Sequence, residues 1–353
     1  MIIFRYLLCL LGIVLTFPLL ILILLAFKLP ITISGLFYLI AGLFVTAGLI
    51  LASILPRHLL KIFLIGVMGF LLIVGVRMVG TQQNQSSEIQ MITLPKGNGL
   101  SWISSILDEQ DSLIFGEELF HRIGGDSTRE HEGLVTAFQA AYSEIKTQGL
   151  FPSPIVNTYL NLQQPNAFNA VIIKPKELPK FGVVFLHGYM GNVAAQCWEI
   201  AQPAQELGGL TICPSTEWTG QWWKPKGQMI LKITFDYLRK QGIEKIYLGG
   251  FSNGGFSIGQ LTTELTDEKG IVGLFFIDGF MNGKEIKELG LPVLIIEGTQ
   301  DERVPPAVAH EFVSEVGVLG TYVEIDSDHF LIMKQPKQVQ NAISLWLKSQ
   351  IDR

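Results

Sequence analysis

One glycine-rich stretch, GFSNG at 250–254, has the residue types and spacing that could activate a nucleophile. A β-type apolar run, Lys245 to Leu248, precedes it and a helical pattern follows it, so Ser252 is predicted to stand at a sharp turn from strand to helix. Flanking glycines permit such a strained turn, and the first N–H groups of the following helix can stabilise a developing oxyanion. The pattern predicts a nucleophilic serine, while a glycine-rich turn without chemistry is the alternative for the motif taken alone.

A nucleophilic serine needs a histidine that takes its proton and a carboxylate that orients the histidine. With this motif the expected order along the chain is serine, acid, histidine. Only two histidines lie downstream of Ser252: His310 falls within a predicted helix, whereas His329 stands in a loop just after a predicted strand. His329 is therefore the predicted general base.

Two aspartates are candidates for the orienting acid. Asp301 follows the predicted strand 293–297 through a short loop, and Asp278 comes directly after the predicted strand 271–277, one strand closer to the nucleophile. Both positions lie where the carboxyl ends of parallel strands meet at one edge of a sheet. Asp301 is the preferred acid, and Asp278 remains the alternative.

The loop after the predicted strand 182–186 reads HGYMGN at 187–192 and is suited to binding an oxyanion. Its glycines let backbone amides approach a substrate, so the N–H groups of Tyr189 and Asn253 are the predicted oxyanion donors. His187 lies before the nucleophile in sequence and under the predicted turn. A buried, hydrogen-bonded structural role is expected for it.

A pocket is suggested by three tryptophans between residues 218 and 223: Trp218, Trp222 and Trp223. Such side chains can line an acyl or aromatic pocket, and packing against the amino-terminal helices is the alternative. Short amphipathic segments in 100–160 are expected to pack on the following domain or to roof its cleft. Only about ten residues, 280–290, separate the sixth and seventh strands, which leaves no room for a large lid there.

Together these motifs resemble the α/β-hydrolase superfamily from Phe168 to the carboxyl end. The resemblance rests on HGYMG at 187–191, GFSNG at 250–254, GTQDERVP at 298–305 and DH at 328–329, in the order and at the spacings of that family. It looks most like serine esterases and lipases of the carboxylesterase and dienelactone-hydrolase kind. The resemblance implies a triad of Ser252, Asp301 and His329, oxyanion amides at Tyr189 and Asn253, and no metal or organic cofactor.

The expected reaction is hydrolysis of a carboxylic ester, of a lipid or another small molecule, through an acyl-enzyme. A serine peptidase or thioesterase of the same fold would carry the same motifs. A membrane-tethered binding protein without turnover is the alternative outside the enzymes.

The rest of the chain predicts the frame that holds these residues. From residue 168 onward, apolar strand patterns alternate with helical patterns, which predicts an α/β fold with a mostly parallel sheet covered by helices on both faces. The predicted catalytic domain is 161–353, preceded by the helical segment 100–160 and a linker at 81–99.

The amino-terminal part is much more apolar. The whole chain is 48% hydrophobic and 16% charged, with a mean hydropathy of +0.38, and the excess lies in 1–80. Residues 6–27 and 29–55 carry no charge, and 59–79 is interrupted only by Lys61 and Arg77 near its ends. Each run is long enough to span a bilayer, so three transmembrane helices and a multi-pass anchor are predicted.

Charge and cysteine content limit location and partners. Arg5, Arg57 and Lys61 lie on one side of the predicted spans, against Lys28 and Arg77 on the other. This small bias favours an inside amino terminus with the catalytic domain on the extracytoplasmic side. The net charge of −5 provides no basic field for nucleic acid. Cys197 and Cys213 have no metal-binding or redox spacing; free buried thiols are expected, and a disulfide is the alternative.

Overall fold

The computed structural model describes residues 2–54, 59–83, 88–95, 102–125 and 127–351. The chain forms two compact units, one within 1–83 and 105–125 and the other within 84–104 and 126–353. This division differs from the predicted linker at 81–99 and helical segment at 100–160, each of which is shared between the units. The difference arises because long-range packing, which local patterns do not report, divides both segments.

The first unit contains α1 (Ile2–Ala26), α2 (Ile33–Ile54), α3 (Leu59–Gln83) and α4 (Glu109–Arg122). The first three helices are long and apolar enough to cross a membrane, with mean hydropathies of 3.0, 2.1 and 2.5 over their candidate spans. Many of their large apolar side chains are exposed, as on a surface that faces lipid. The three predicted spans correspond to these three helices.

A buried arginine ties the end of α3 to the segment before α4. The Arg77 guanidinium donates to the carbonyl oxygens of Ser105 at 2.9 Å and Leu107 at 2.8 Å, and it pairs with Asp108 at 3.2 Å. Arg77 lies near the end of the third apolar run, where a long basic side chain can reach toward lipid headgroups. Its charge is instead satisfied within the protein.

The second unit is built on an eight-stranded sheet. In chain order its strands are β1 (Ile89–Leu94), β2 (Phe168–Ile173), β3 (Phe181–Leu186), β4 (Gly209–Pro214), β5 (Ile246–Phe251), β6 (Ile271–Ile277), β7 (Val293–Gly298) and β8 (Gly320–Ile325). Their spatial order is β1-β2-β4-β3-β5-β6-β7-β8. β2 runs antiparallel to both of its neighbours, and β3 to β8 are parallel. The predicted α/β fold with a mostly parallel sheet is confirmed.

Helices cover both faces of this sheet. They are α5 (Thr128–His131), α6 (Leu134–Thr147), α7 (Ile155–Tyr159), α8 (Ala194–Glu206), α9 (Pro225–Lys240), α10 (Asn253–Gln260), α11 (Thr262–Thr266), α12 (Gly283–Glu288), α13 (Pro306–Val316), α14 (Leu331–Lys334) and α15 (Pro336–Ile351). Two consecutive residues of β6 show the layering. Phe275 packs against Trp346 of α15 and Phe276 against Phe312 of α13, with ring centroids 6.4 and 5.0 Å apart. Burial on both faces explains the almost unbroken apolar strands.

β1 lies inside the predicted linker at 81–99. It pairs with β2 along its whole length, from Ile89 opposite Ile173 to Leu94 opposite Phe168. Only its two end residues are fully buried. Its strand conformation depends on pairing with the edge of a sheet formed by distant residues, and the local pattern therefore missed it.

Cys197 and Cys213 form a disulfide, with their Cα atoms 6.1 Å apart. The expectation of free thiols is therefore corrected. The two cysteines are 16 residues apart in sequence, and they meet because α8 folds back over β4. Spacing alone does not reveal this contact. Among the residues that the structure describes, Cys9 is a free cysteine.

Candidate active site

Ser252 occupies the turn between β5 and α10. Its backbone angles are φ 52° and ψ −120°, a strained conformation for a residue with a side chain. The glycines of the motif allow the turn to pack tightly. A Cβ atom at Gly250 would lie 2.4 Å from the carbonyl carbon of Gly254, and a Cβ atom at Gly254 would lie 2.0 Å from the Leu186 carbonyl oxygen. No larger side chain fits at either position.

The structure brings His329 between Ser252 and Asp301. Its Nε2 lies 3.0 Å from Oγ of Ser252, and its Nδ1 lies 2.6 Å from Oδ2 of Asp301. Because a carboxylate only accepts, Nδ1 carries the hydrogen and Nε2 is free to accept the serine proton. His329 and Asp301 are buried, so water does not compete for these bonds.

The backbone after β7 holds the Asp301 carboxylate in place. Its Oδ1 accepts hydrogen bonds from the N–H groups of Arg303 at 2.7 Å and Val304 at 2.9 Å. Asp278, the alternative acid, instead accepts the N–H of Gly298 at 2.9 Å. It nevertheless lies close by, since side-chain ligand atoms of Asp278, Asp301 and His329 all lie within 4.8 Å of one another.

The loop after β3 lies against Ser252. A Cβ atom at Gly188 would be 2.9 Å from Cβ of Ser252 and 3.3 Å from the backbone nitrogen of Asn253. The next residue, Tyr189, has an exposed side chain. This contact places the backbone of the loop beside the N-terminus of α10, the region where both predicted oxyanion amides must lie.

His187 supports that loop from below. Its Nδ1 donates to the Gly188 carbonyl oxygen at 2.8 Å, and its Nε2 accepts the N–H of Thr216 at 3.2 Å. Burial lowers the pKa of His187 to about 4, so the ring is neutral at physiological pH. The predicted structural role fits these contacts.

The three tryptophans occupy different environments. Trp222 is fully buried and donates its indole N–H to the His187 carbonyl oxygen at 3.0 Å. This hydrogen bond ties Trp222 to the loop after β3. Trp223 is partly buried against the hydrophobic core. Trp218 is 43% exposed, and its ring meets that of Tyr189 edge-on with centroids 4.7 Å apart.

An ion pair that the sequence did not predict joins α5 to the loop after β7. Arg303 binds both carboxylate oxygens of Glu130, at 2.5 and 3.1 Å, and its guanidinium lies 5.2 Å from the ring centroid of Phe330, the neighbour of His329. Burial would raise the pKa of Glu130, but hydrogen bonds from Arg303 and from the Ser127 N–H outweigh it and lower that pKa. The sequence STRE at 127–130 is a capping box and predicts the start of a helix. It does not identify Arg303 as the partner of Glu130.

Solved structures of several hydrolases resemble about half of this chain. Est1E from Butyrivibrio proteoclasticus matches with 18% identity and a TM-score of 0.46, covering 53% of this chain and 96% of that chain. The esterase domain of a Rhodothermus marinus protein matches with 12% identity and a TM-score of 0.45, covering 52% and 93%. An alpha-beta serine hydrolase homologue from Coxiella burnetii matches with 20% identity and a TM-score of 0.42, covering 51% and 92%. No protein-family model and no curated protein matches this chain.

Proposed function

We propose that this chain is a membrane-anchored serine hydrolase that cleaves a carboxylic ester through an acyl-enzyme on Ser252. The observation that carries the proposal is the continuous hydrogen-bonded chain from Ser252 Oγ through His329 to Asp301, at 3.0 and 2.6 Å. A serine at a strained strand-to-helix turn, bonded to a buried histidine that is oriented by a carboxylate, is the arrangement that activates a hydroxyl.

In the proposed first half-reaction, Oγ of Ser252 attacks the ester carbonyl carbon while Nε2 of His329 takes the hydroxyl proton. Asp301 stabilises the imidazolium and keeps its Nδ1–H oriented. The backbone N–H groups of Tyr189 and Asn253 donate to the oxyanion of the tetrahedral intermediate. His329 then gives its proton to the leaving alcohol, and the acyl group stays on Ser252.

In the second half-reaction, water attacks the acyl carbon and His329 takes a proton from that water. The second tetrahedral intermediate collapses, the acid leaves, and the proton returns to Oγ of Ser252. Every step uses side chains already in hydrogen-bond reach of one another. The proposed substrate is an ester, lipid or otherwise. A thioesterase or peptidase would use the same groups, so the substrate class is decided by the next experiment.

The ester assignment is tested by assaying the full chain in detergent micelles against p-nitrophenyl esters of increasing acyl length, with a thioester and a peptide p-nitroanilide in parallel. We expect the esters to be cleaved fastest, with the chain-length optimum reporting the size of the acyl site. Faster cleavage of the thioester or the anilide would replace the esterase proposal by the corresponding hydrolase. A folded protein that cleaves none of them would favour the binding-protein alternative.

The exposed Tyr189–Trp218 pair is the proposed substrate-facing surface, since Tyr189 also supplies an oxyanion amide. Replacing Trp218 with alanine is expected to raise KM for p-nitrophenyl esters about fivefold with little change in kcat, because an aromatic contact contributes about 1 kcal/mol to binding. Trp218→Phe keeps an aromatic ring and should recover most of the affinity. An equal loss of kcat in both variants would indicate that Trp218 supports the fold and does not contact substrate.

We propose that the catalytic unit faces the extracytoplasmic side. The charge bias across the three spans supports this orientation. The Cys197–Cys213 disulfide also supports it, because disulfides persist in oxidising compartments.

The orientation is tested with trypsin on sealed membrane vesicles. The segment between β2 and β3 contains exposed lysines that are not followed by proline, Lys176 and Lys180, so right-side-out vesicles should be cleaved there and inverted vesicles should be protected. The reverse pattern would place the catalytic unit in the cytoplasm.

A further inference from the structure

Two acidic residues that the proposed mechanism does not use lie directly behind the triad. Asp278 follows β6, and Glu297 is the penultimate residue of β7. These strands are parallel neighbours with Ile277 opposite Ile296, so the next pair in that register is Asp278 and Glu297. Two carboxyl groups therefore stand side by side on one face of the sheet.

Both carboxyl groups are completely buried, at 0% exposure. Oδ1 of Asp278 accepts the Gly298 N–H. Within the described part of the chain, the other oxygen of Asp278 and both oxygens of Glu297 have no hydrogen-bond donor. Two adjacent buried carboxylates with only one hydrogen-bond donor for their four oxygens would be very costly. If one carboxyl keeps its proton, it becomes the donor that the other lacks.

The surrounding charges favour retention of that proton. Burial raises the pKa of Asp278 well above its ordinary value, and the neighbouring charges of Glu297 and Asp301 raise it further. Burial likewise raises the pKa of Glu297 to about 8, with Asp301 and Glu324 contributing. The remaining titratable groups facing the pair are His329 on the triad side, and Tyr322 of β8 and His310 of α13, both of which bind Glu324.

We propose that Asp278 is protonated in the working enzyme and donates to Glu297, so that Asp301 is the only charged carboxylate against His329. The inference rests on the proposed function, because it concerns the same histidine. Asp278 reaches within 4.8 Å of His329 and Asp301. A second carboxylate at that distance would hold the imidazole in its protonated form, which cannot accept the serine proton. Asp278 and Glu297 are thus positioning residues that keep His329 a working base.

The first test is the pH dependence of kcat/KM for wild type and Asp278→Asn. Asparagine is neutral, accepts the Gly298 N–H and donates to Glu297, so it reproduces the proposed state of Asp278. The midpoint of the acid limb should then agree with wild type within about 0.3 pH unit. If Asp278 is ionised in the wild type, removing its charge would move that midpoint down by about one pH unit or more, and the proposal would be overturned.

The second test uses folding and needs no activity. In this test Asp278 keeps its proton, and Glu297 is the member of the pair that titrates. The pKa of Glu297 is raised on folding, so this carboxyl contributes stability below its unfolded value of about 4.5, and this stability is lost as the pH rises through about 8. Glu297→Gln removes that loss. Its Tm relative to wild type should therefore increase by several degrees between pH 5 and pH 9.

Glu324→Gln is the matched control, because Glu324 lies opposite Glu297 on β8 but is exposed, and its pKa is lowered by hydrogen bonds from His310 and Tyr322. It should show a much smaller alkaline gain in Tm than Glu297→Gln, because it removes only a neighbouring charge that adds to the raised pKa of Glu297. A constant Tm difference between Glu297→Gln and wild type at all pH values would overturn the proposal. If the Tm result holds while no substrate is hydrolysed, the hydrolase proposal has failed, but the proposal that Asp278 and Glu297 form a buried protonated pair stands.

Discussion

Replacing Ser252 with alanine is expected to lower kcat/KM for the best ester by about 10⁴-fold or more, because no other nucleophile lies within reach of His329 Nε2 among the described residues. The substitution removes one oxygen atom from a side chain that makes no capping hydrogen bond to α10, so the fold should be retained. The same variant should lose a fluorophosphonate label that the wild-type protein carries.

Ser314→Ala is a suitable control for this experiment. Ser314 lies on α13, and its hydroxyl binds only the Glu311 carbonyl oxygen in its own helix, so activity and labelling should match the wild type. The Tm of both variants should lie close to that of the wild type. Equal labelling of Ser252→Ala and wild type would reject Ser252 as the nucleophile.

Replacing Asp301 with asparagine is expected to lower kcat/KM by about 10³- to 10⁴-fold. The asparagine amide would donate to Nδ1 of His329 and so favour the tautomer that carries its hydrogen on Nε2. That nitrogen then faces Ser252 as a donor and cannot accept the serine proton. The asparagine oxygen still accepts the N–H groups of Arg303 and Val304, which preserves the loop.

Asp278→Asn is the matched control for Asp301→Asn. Both substitutions remove one carboxylate oxygen from a buried aspartate at the same edge of the sheet, but only Asp301 is hydrogen-bonded to His329. Asp301→Asn should therefore lose far more activity near neutral pH. A larger loss in Asp278→Asn would transfer the orienting role to Asp278.

Short sequence patterns predicted the structural elements that depend only on neighbouring residues. The strand 271–277 was predicted with its observed ends, and the helix predicted around His310 is observed as Pro306–Val316. Apolar runs and a proline at a helix start act over a few residues. The turn at Ser252 was readable for the same reason, since its glycines are adjacent to the serine. The three long apolar helices needed only length and composition.

The edge strand and the disulfide were not readable in this way. Ile89–Leu94 becomes a strand by pairing with β2, some eighty residues further along the chain. Cys197 and Cys213 meet only because α8 packs on β4. The strand and the disulfide each depend on a contact with a segment that is distant in sequence.

The sequence alone determined which residue types were available for a serine, histidine and acid site and the order in which they follow successive strands. Tertiary structure decided which of two aspartates contacts His329. It also decided that Trp222 binds the loop after β3 and that Glu130 pairs with Arg303, 173 residues away in sequence. Motifs report the backbone within a few residues of themselves. Hydrogen bonds between loops depend on how neighbouring strands are aligned, and that alignment is set by packing of the whole sheet.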